Sequence, residues 1–153
     1  MKTRTYAMAG GLLLLVHGIL FTANIAAEQQ CSAKTTVGRY VVVCDGFLSL
    51  APNGPLVPAK ELATVTADAD FTFKSTDGIL TLGGAVLHGE VIGTGVLRPD
   101  CTGTITYSQT INGQAAPDIH FSFVVSKGGD VIDGISIDPG TVYSCHLARI
   151  AQL

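Results

Sequence analysis

From Val37 onward no stretch of the chain repeats apolar residues at helical spacing, and turn signals interrupt it at short intervals. Val37 to Leu50 reads as a long first strand, ended by Ala51-Pro52-Asn53-Gly54-Pro55, whose two prolines cannot stay in a ladder. Glu61 to Asp68 alternates Leu62, Thr64 and Thr66 against Ala63, Val65 and Ala67, and a tight turn at Ala69-Asp70 leads into Phe71 to Ser75. The short apolar piece Ile79 to Leu82, framed by Thr76-Asp77-Gly78 and Gly83-Gly84, stays unassigned. Strands then follow at Gly89 to Leu97, Thr102 to Thr110, Asp118 to Ser126, Val131 to Ile137 and Thr141 to Ile150. Between them lie Arg98-Pro99-Asp100, a looser loop from Ile111 to Pro117, Lys127-Gly128-Gly129 and Asp138-Pro139-Gly140.

Eight strands joined by short turns are antiparallel to their neighbours, so an all-β, up-and-down meander is the economical topology. Such a meander can close into a barrel and remove both exposed edges, with a β-sandwich as the alternative. The abundance of Thr, Val and Ile, with 18 Gly, fits strands and turns. A charged fraction of 14% excludes a disordered chain, a coiled coil and a solvated helical bundle.

The amino terminus is of a different kind. Lys2 and Arg4 precede an apolar stretch from Ala7 to Phe21, which ends in Thr22-Ala23-Asn24-Ile25-Ala26-Ala27. A basic start, a short apolar run and a small-residue exit describe a secretory signal peptide over residues 1–27, a signal helix cleaved near Ala27. The run of about 15 apolar residues is short of the ~20 a membrane-spanning helix needs. Residues 28–153 then form a single domain with no membrane span, secreted or periplasmic. The leader holds two of the nine Lys and Arg and none of the twelve Asp and Glu, so the mature chain has seven against twelve, a net charge of −5. That balance excludes a nucleic-acid surface, which needs cations against phosphates.

An exported chain with four cysteines is expected to be oxidised, and four cysteines allow three pairings. In a closed eight-strand meander the first strand lies antiparallel to the eighth. Pairing Cys44 with Cys145 sets Tyr40 opposite Arg149, Val42 opposite Leu147 and Gly46 opposite Tyr143, so apolar residues meet and an aromatic meets a cation. Cys31 and Cys101 then fall at the same end of the barrel, which makes 31–101 and 44–145 the expected pairs.

Cys31-Ser32, Gly38-Arg39-Tyr40 and Arg98-Pro99-Asp100-Cys101-Thr102-Gly103-Thr104 carry a resemblance. The pattern resembles a largely uncharacterised group of secreted bacterial proteins with a Cys before a Gly-x-Tyr strand and a Pro-Asp-Cys-Thr-Gly turn. The resemblance implies a small barrel similar to allene oxide cyclase and dirigent proteins, and loosely to lipocalins. Gly38-x-Tyr40 with Arg149 is similar to the lipocalin Gly-x-Trp and its closing Arg, with Tyr in place of Trp. Biotin binding of the avidin kind depends on tryptophans, and the chain has none.

Few residue patterns point to chemistry. Asp118, His120 and Ser122 share one face of a strand, but residues in line on a strand do not converge as a catalytic triad does. With Phe121, Phe123 and Val125 reading as the interior face, His120 and Ser122 belong outside. His88, His120 and His146 are far apart and lack metal-ligand spacing, and Asp68, Asp70 and Asp77 lack that of a calcium loop, so no metal or cofactor is implied. Gly89, Gly93 and Gly95 precede no helix and mark strand bends, not a phosphate loop. If Ile92 and Val96 face inward, so does Glu90, and Ile105 and Tyr107 suggest the same of Gln109. Glu90, Tyr107 and Gln109 are therefore the candidate lumen-lining, ligand-binding residues, and no residue is assigned a catalytic role.

The expected function is non-catalytic binding of a small apolar ligand or a protein partner. An isomerase or cyclase acting in the lumen is the alternative implied by the resemblance. A third reading is an inhibitor or adhesion module acting through the loops Ala51 to Pro58 and Ile111 to Pro117.

Overall fold

The computed structural model describes residues 30–49, 54–126 and 128–153. The expected leader and the middle of the first turn lie outside the described residues. After a 3-10 turn at Ala33–Thr36 come β1 (Gly38–Ser49), β2 (Leu56–Ala67), β3 (Thr72–Leu82), β4 (Ala85–Leu97), β5 (Thr102–Ile111), β6 (Gln114–Val125), β7 (Val131–Ser136) and β8 (Val142–Ala151). Each strand pairs antiparallel with the next, and β8 returns to β1 to close the barrel. No helix among the described residues is long and apolar enough to cross a membrane.

The closing register is the expected one: Cys44 faces Cys145, Tyr40 faces Arg149, Val42 faces Leu147 and Gly46 faces Tyr143. Both expected disulfides are formed, Cys31–Cys101 and Cys44–Cys145. The first ties the segment before β1 to the β4–β5 turn, where the Cys31 amide also donates to the Pro99 carbonyl (3.2 Å). The second staples β8 to β1 midway along the wall.

Several boundaries differ from the sequence reading. β2 begins at Leu56, ahead of Pro58, because the β2–β3 ladder only starts at Ala59 and the missing Pro58 amide costs no ladder bond there. Ile79 to Leu82 is the second half of β3, continuous with Thr72 across an irregularity between Ser75 and Gly78. The stretch from Ile111 to Pro117 is no loose loop: β5 runs to Ile111, Asn112 and Gly113 take positive φ, and β6 starts at Gln114.

One turn design is used twice at the Cys31 end. Phe71 and Cys101 both adopt left-handed φ (63° and 68°), each closing a turn onto a carbonyl three residues back. The preceding Asp70 and Asp100 each accept from the amide of the following threonine, Thr72 at 3.2 Å and Thr102 at 3.0 Å.

Inward positions fill the lumen with Tyr40, Val42, Val65, Phe73, Phe121, Phe123 and Leu147. Arg149 closes the Cys31 end. Its Nε and Nη2 donate to the Tyr40 hydroxyl (3.2 and 3.0 Å), Nη2 also donates to the carbonyls of Gly129 (2.9 Å) and Thr35, and Nη1 lies 3.4 Å from Asp130 Oδ1. The guanidinium stands 5.5 Å from the Tyr40 ring centre, and the Tyr40 hydroxyl donates to the Gly129 carbonyl at 2.7 Å.

The facing of β4 corrects the sequence reading. Ile92 and Val96 are exposed, and Glu90, on the same side of the strand, is exposed with them. The inner face belongs to Leu87, Gly89, Val91, Gly93 and Gly95. A Cβ on Gly93 would lie 2.5 Å from the Tyr107 ring, so glycine is required where that ring crosses the wall. Apolar alternation pointed the wrong way because the inner positions are kept small for side chains arriving from β5.

Candidate lumen site

β2 is built of small inward residues, Ala59, Ala63, Val65 and Ala67, with one exception at the same parity: Glu61. Its backbone neighbours across the ladders are Cys44 on β1 and Leu80 on β3. From β8, Tyr143 reaches across and its hydroxyl donates to Glu61 Oε2 at 3.1 Å. Gly46 permits this approach, since a Cβ there would run into the Val142 carbonyl. The second carboxylate oxygen, Oε1, has no hydrogen-bond partner among the described residues, and neither has the Tyr107 hydroxyl.

Glu61, Tyr107, Gln109 and Tyr143 line one cavity with Val42, Val65, Val91, Ile119, Phe121, Leu147 and the Cys44–Cys145 bridge. Its free volume is about 40 Å³, room for water or the tip of a ligand. A second cavity of about 20 Å³, lined by Phe71, Phe73, Ile105 and Phe123, shares Tyr107, Phe121, Cys145 and Leu147 with the first. Tyr107 and Phe121 meet edge to face at 5.6 Å and divide the two.

Electrostatics follow from burial. Desolvation pushes the Glu61 carboxyl above the usual carboxylate range, and the bond from Tyr143 only partly opposes it. Desolvation and then the nearby Glu61 charge raise both Tyr107 and Tyr143 far above an ordinary phenol, so both stay protonated. Among the described residues, no Lys, Arg or His lines the cavity. The site can thus accept hydrogen bonds in apolar surroundings, and its carboxyl can hold or release a proton nearer neutrality than a free one.

Of the three residues expected in the lumen, Tyr107 and Gln109 line this cavity, whereas Glu90 is outside the barrel. Gln109 is half committed: its amide donates to the Pro117 carbonyl at 3.1 Å. Glu61 and Tyr143 were missed. Glu61 was legible, since it shares parity with Ala63, Val65 and Ala67, and Tyr143 lies opposite Gly46 in the register used for Cys44–Cys145.

Outside the barrel, Asp118, His120 and Ser122 are exposed as expected, and His120 takes Asp138 as its partner (Nδ1···Oδ1 2.7 Å). A groove of about 570 Å³ runs over the outer face of β1, β6, β7 and β8. Val43, Val124 and Ile135 line it, each about half exposed or more (48%, 50% and 61%), beside the His146–Asp133 pair (Nδ1···Oδ1 2.7 Å). Of the end loops, residues 51–53 lie outside the described residues, and Ile111 to Pro117 is the tight β5–β6 hairpin.

The two disulfides fit an oxidising compartment, as an extracellular or periplasmic chain would meet. No family model matches the chain, and neither does any curated protein or solved structure.

Proposed function

We propose that the protein is exported by its amino-terminal leader and binds a small apolar ligand in the barrel lumen without transforming it. The single observation that supports this reading is Glu61. It is a half-buried carboxylate with one oxygen held by Tyr143 and the other unpartnered among the described residues, in a cavity lined mostly by apolar and aromatic side chains and, among those residues, by no Lys, Arg or His. Apolar sites with one or two placed polar groups are what small-ligand pockets consist of. The free volumes of the two cavities are small, so a ligand of more than a few atoms needs side chains of the lining to shift on entry.

Native mass spectrometry of the protein recovered from its producing cells tests this. A bound small molecule, lost on Glu61→Gln or on unfolding, is expected. A clean polypeptide mass under gentle conditions would count against a carrier. A conversion of the bound molecule by wild type but not by Glu61→Gln would instead favour the lumen isomerase or cyclase suggested by the allene oxide cyclase resemblance.

A protein partner is the second reading. It is favoured by the outer groove with Val43, Val124 and Ile135, which is far larger than the lumen cavities. Charged substitutions there, such as Ile135→Lys, would abolish partner capture and leave ligand content unchanged.

A further inference from the structure

We propose that the lumen site selects amphiphilic amines, ligands with an apolar body and a single protonated amino group, which Glu61 receives as a counter-ion. This rests on the lumen-ligand reading and gives that ligand a polar end. Among the described residues, the polar groups of the lining without a partner are Glu61 Oε1, which as a carboxylate only accepts, and the Tyr107 hydroxyl, which can accept or donate. Tyr143 already spends its proton on Oε2, so it adds no donor for an anionic or carbonyl ligand.

Among the described residues, no cation lines this level of the lumen. The inward-facing basic residue of β8, Arg149, is four residues from Cys145, about 13 Å along the strand. It is committed to Tyr40, Gly129, Thr35 and Asp130 at the closed end. A ligand ammonium would therefore be the first positive charge Glu61 meets, in surroundings where a charge-assisted bond is strong. The rings of Tyr107, Phe121 and Tyr143 line the same cavity and offer π faces to a cation. A carboxylate ligand would meet repulsion from an ionised Glu61, and an alcohol would bring it a hydrogen bond but no opposite charge.

The pH dependence follows. The titratable groups facing Glu61 are Tyr107 from β5 and Tyr143 from β8, both protonated throughout; Cys44 and Cys145 are bridged, and β3, β4 and β6 present Leu80, Val91, Ile119 and Phe121. Asp45, beside Cys44, points outward from β1 and is exposed. Amine affinity therefore rises with pH as Glu61 ionises and levels off once it has.

Calorimetric titration of the disulfide-intact protein with hexylamine, hexan-1-ol and hexanoate tests this at neutral and mildly acidic pH. Hexylamine is expected to bind about tenfold or more tightly than hexan-1-ol at neutral pH, with hexanoate weakest. Glu61→Gln should erase the amine preference and its pH dependence while hexan-1-ol still binds, and Tyr107→Phe should reduce the preference severalfold. An alcohol bound as tightly as the amine, or an amine preference that survives Glu61→Gln, overturns the inference and leaves the lumen-ligand reading standing. Failure of all three probes to bind would remove both.

Discussion

The hydroxyl of Tyr143 lies 3.1 Å from Oε2 of Glu61, joining β8 to β2 past the intervening β1 from inside the barrel. The bond holds one carboxylate oxygen and leaves the other to the cavity. It also places a titrating group where its ionisation is felt by the whole fold.

The sign of that effect is fixed by the raised Glu61 pKa. A carboxyl that keeps its proton to higher pH when folded contributes stability below the ordinary carboxylate range and loses it as pH climbs through the raised value. Glu61→Gln removes the ionised form while keeping an acceptor for Tyr143. Thermal melts should therefore show the variant more stable than wild type at pH about 8, with the difference closing toward pH about 4. A difference that grows toward acid would contradict the assignment.

The two disulfides should contribute nearly equally. Their sequence separations are 70 and 101, and loop-closure entropy depends only logarithmically on length, so each is worth about 4–5 kcal/mol in that model. Urea unfolding of Cys31→Ala/Cys101→Ala and Cys44→Ala/Cys145→Ala compares them. A larger loss for the second pair measures the packing of the bridge in the lumen, beyond its effect on the unfolded chain.

Arg149 holds the closed end with one side chain. Arg149→Met removes the donors to the Tyr40 hydroxyl and the Thr35 and Gly129 carbonyls and should cost about 1–3 kcal/mol. The exposed Arg98 side chain makes a 3.4 Å contact with Thr102 and a solvent-screened attraction to Asp100, so Arg98→Met should change stability by less than about 0.5 kcal/mol. Denaturant midpoints measured side by side check the contrast.

The facing of β4 has its own test. Gly93→Ala puts a methyl against the Tyr107 ring and should cost about 1–3 kcal/mol and disturb ligand uptake. Glu90→Ala, on the outer face, should do neither.

Much of this architecture was legible in the sequence. The strand count, the meander and both disulfides follow from turn spacing and from the register that sets Cys44 against Cys145. The candidate site was legible only in part, because strand parity must be referred to the correct face. On β6, Phe121, Phe123 and Val125 mark the interior unambiguously. On β4 they have no counterpart: the interior face is glycine-rich to admit Tyr107, so Ile92 and Val96 pointed outward and took Glu90 with them. On β2 the interior row was alanine-rich, and Glu61 stood out only once that row was known to face inward.

The most direct test of the central claim is a two-dimensional NMR titration of the isotope-labelled, disulfide-intact protein with hexylamine. Binding in the lumen predicts shifts concentrated on Glu61, Tyr107, Phe121 and Tyr143, with about tenfold more amine needed to reach them in Glu61→Gln. Shifts confined to Val43, Val124, Ile135 and His146 on the outer groove, with the lumen resonances unmoved, would contradict it.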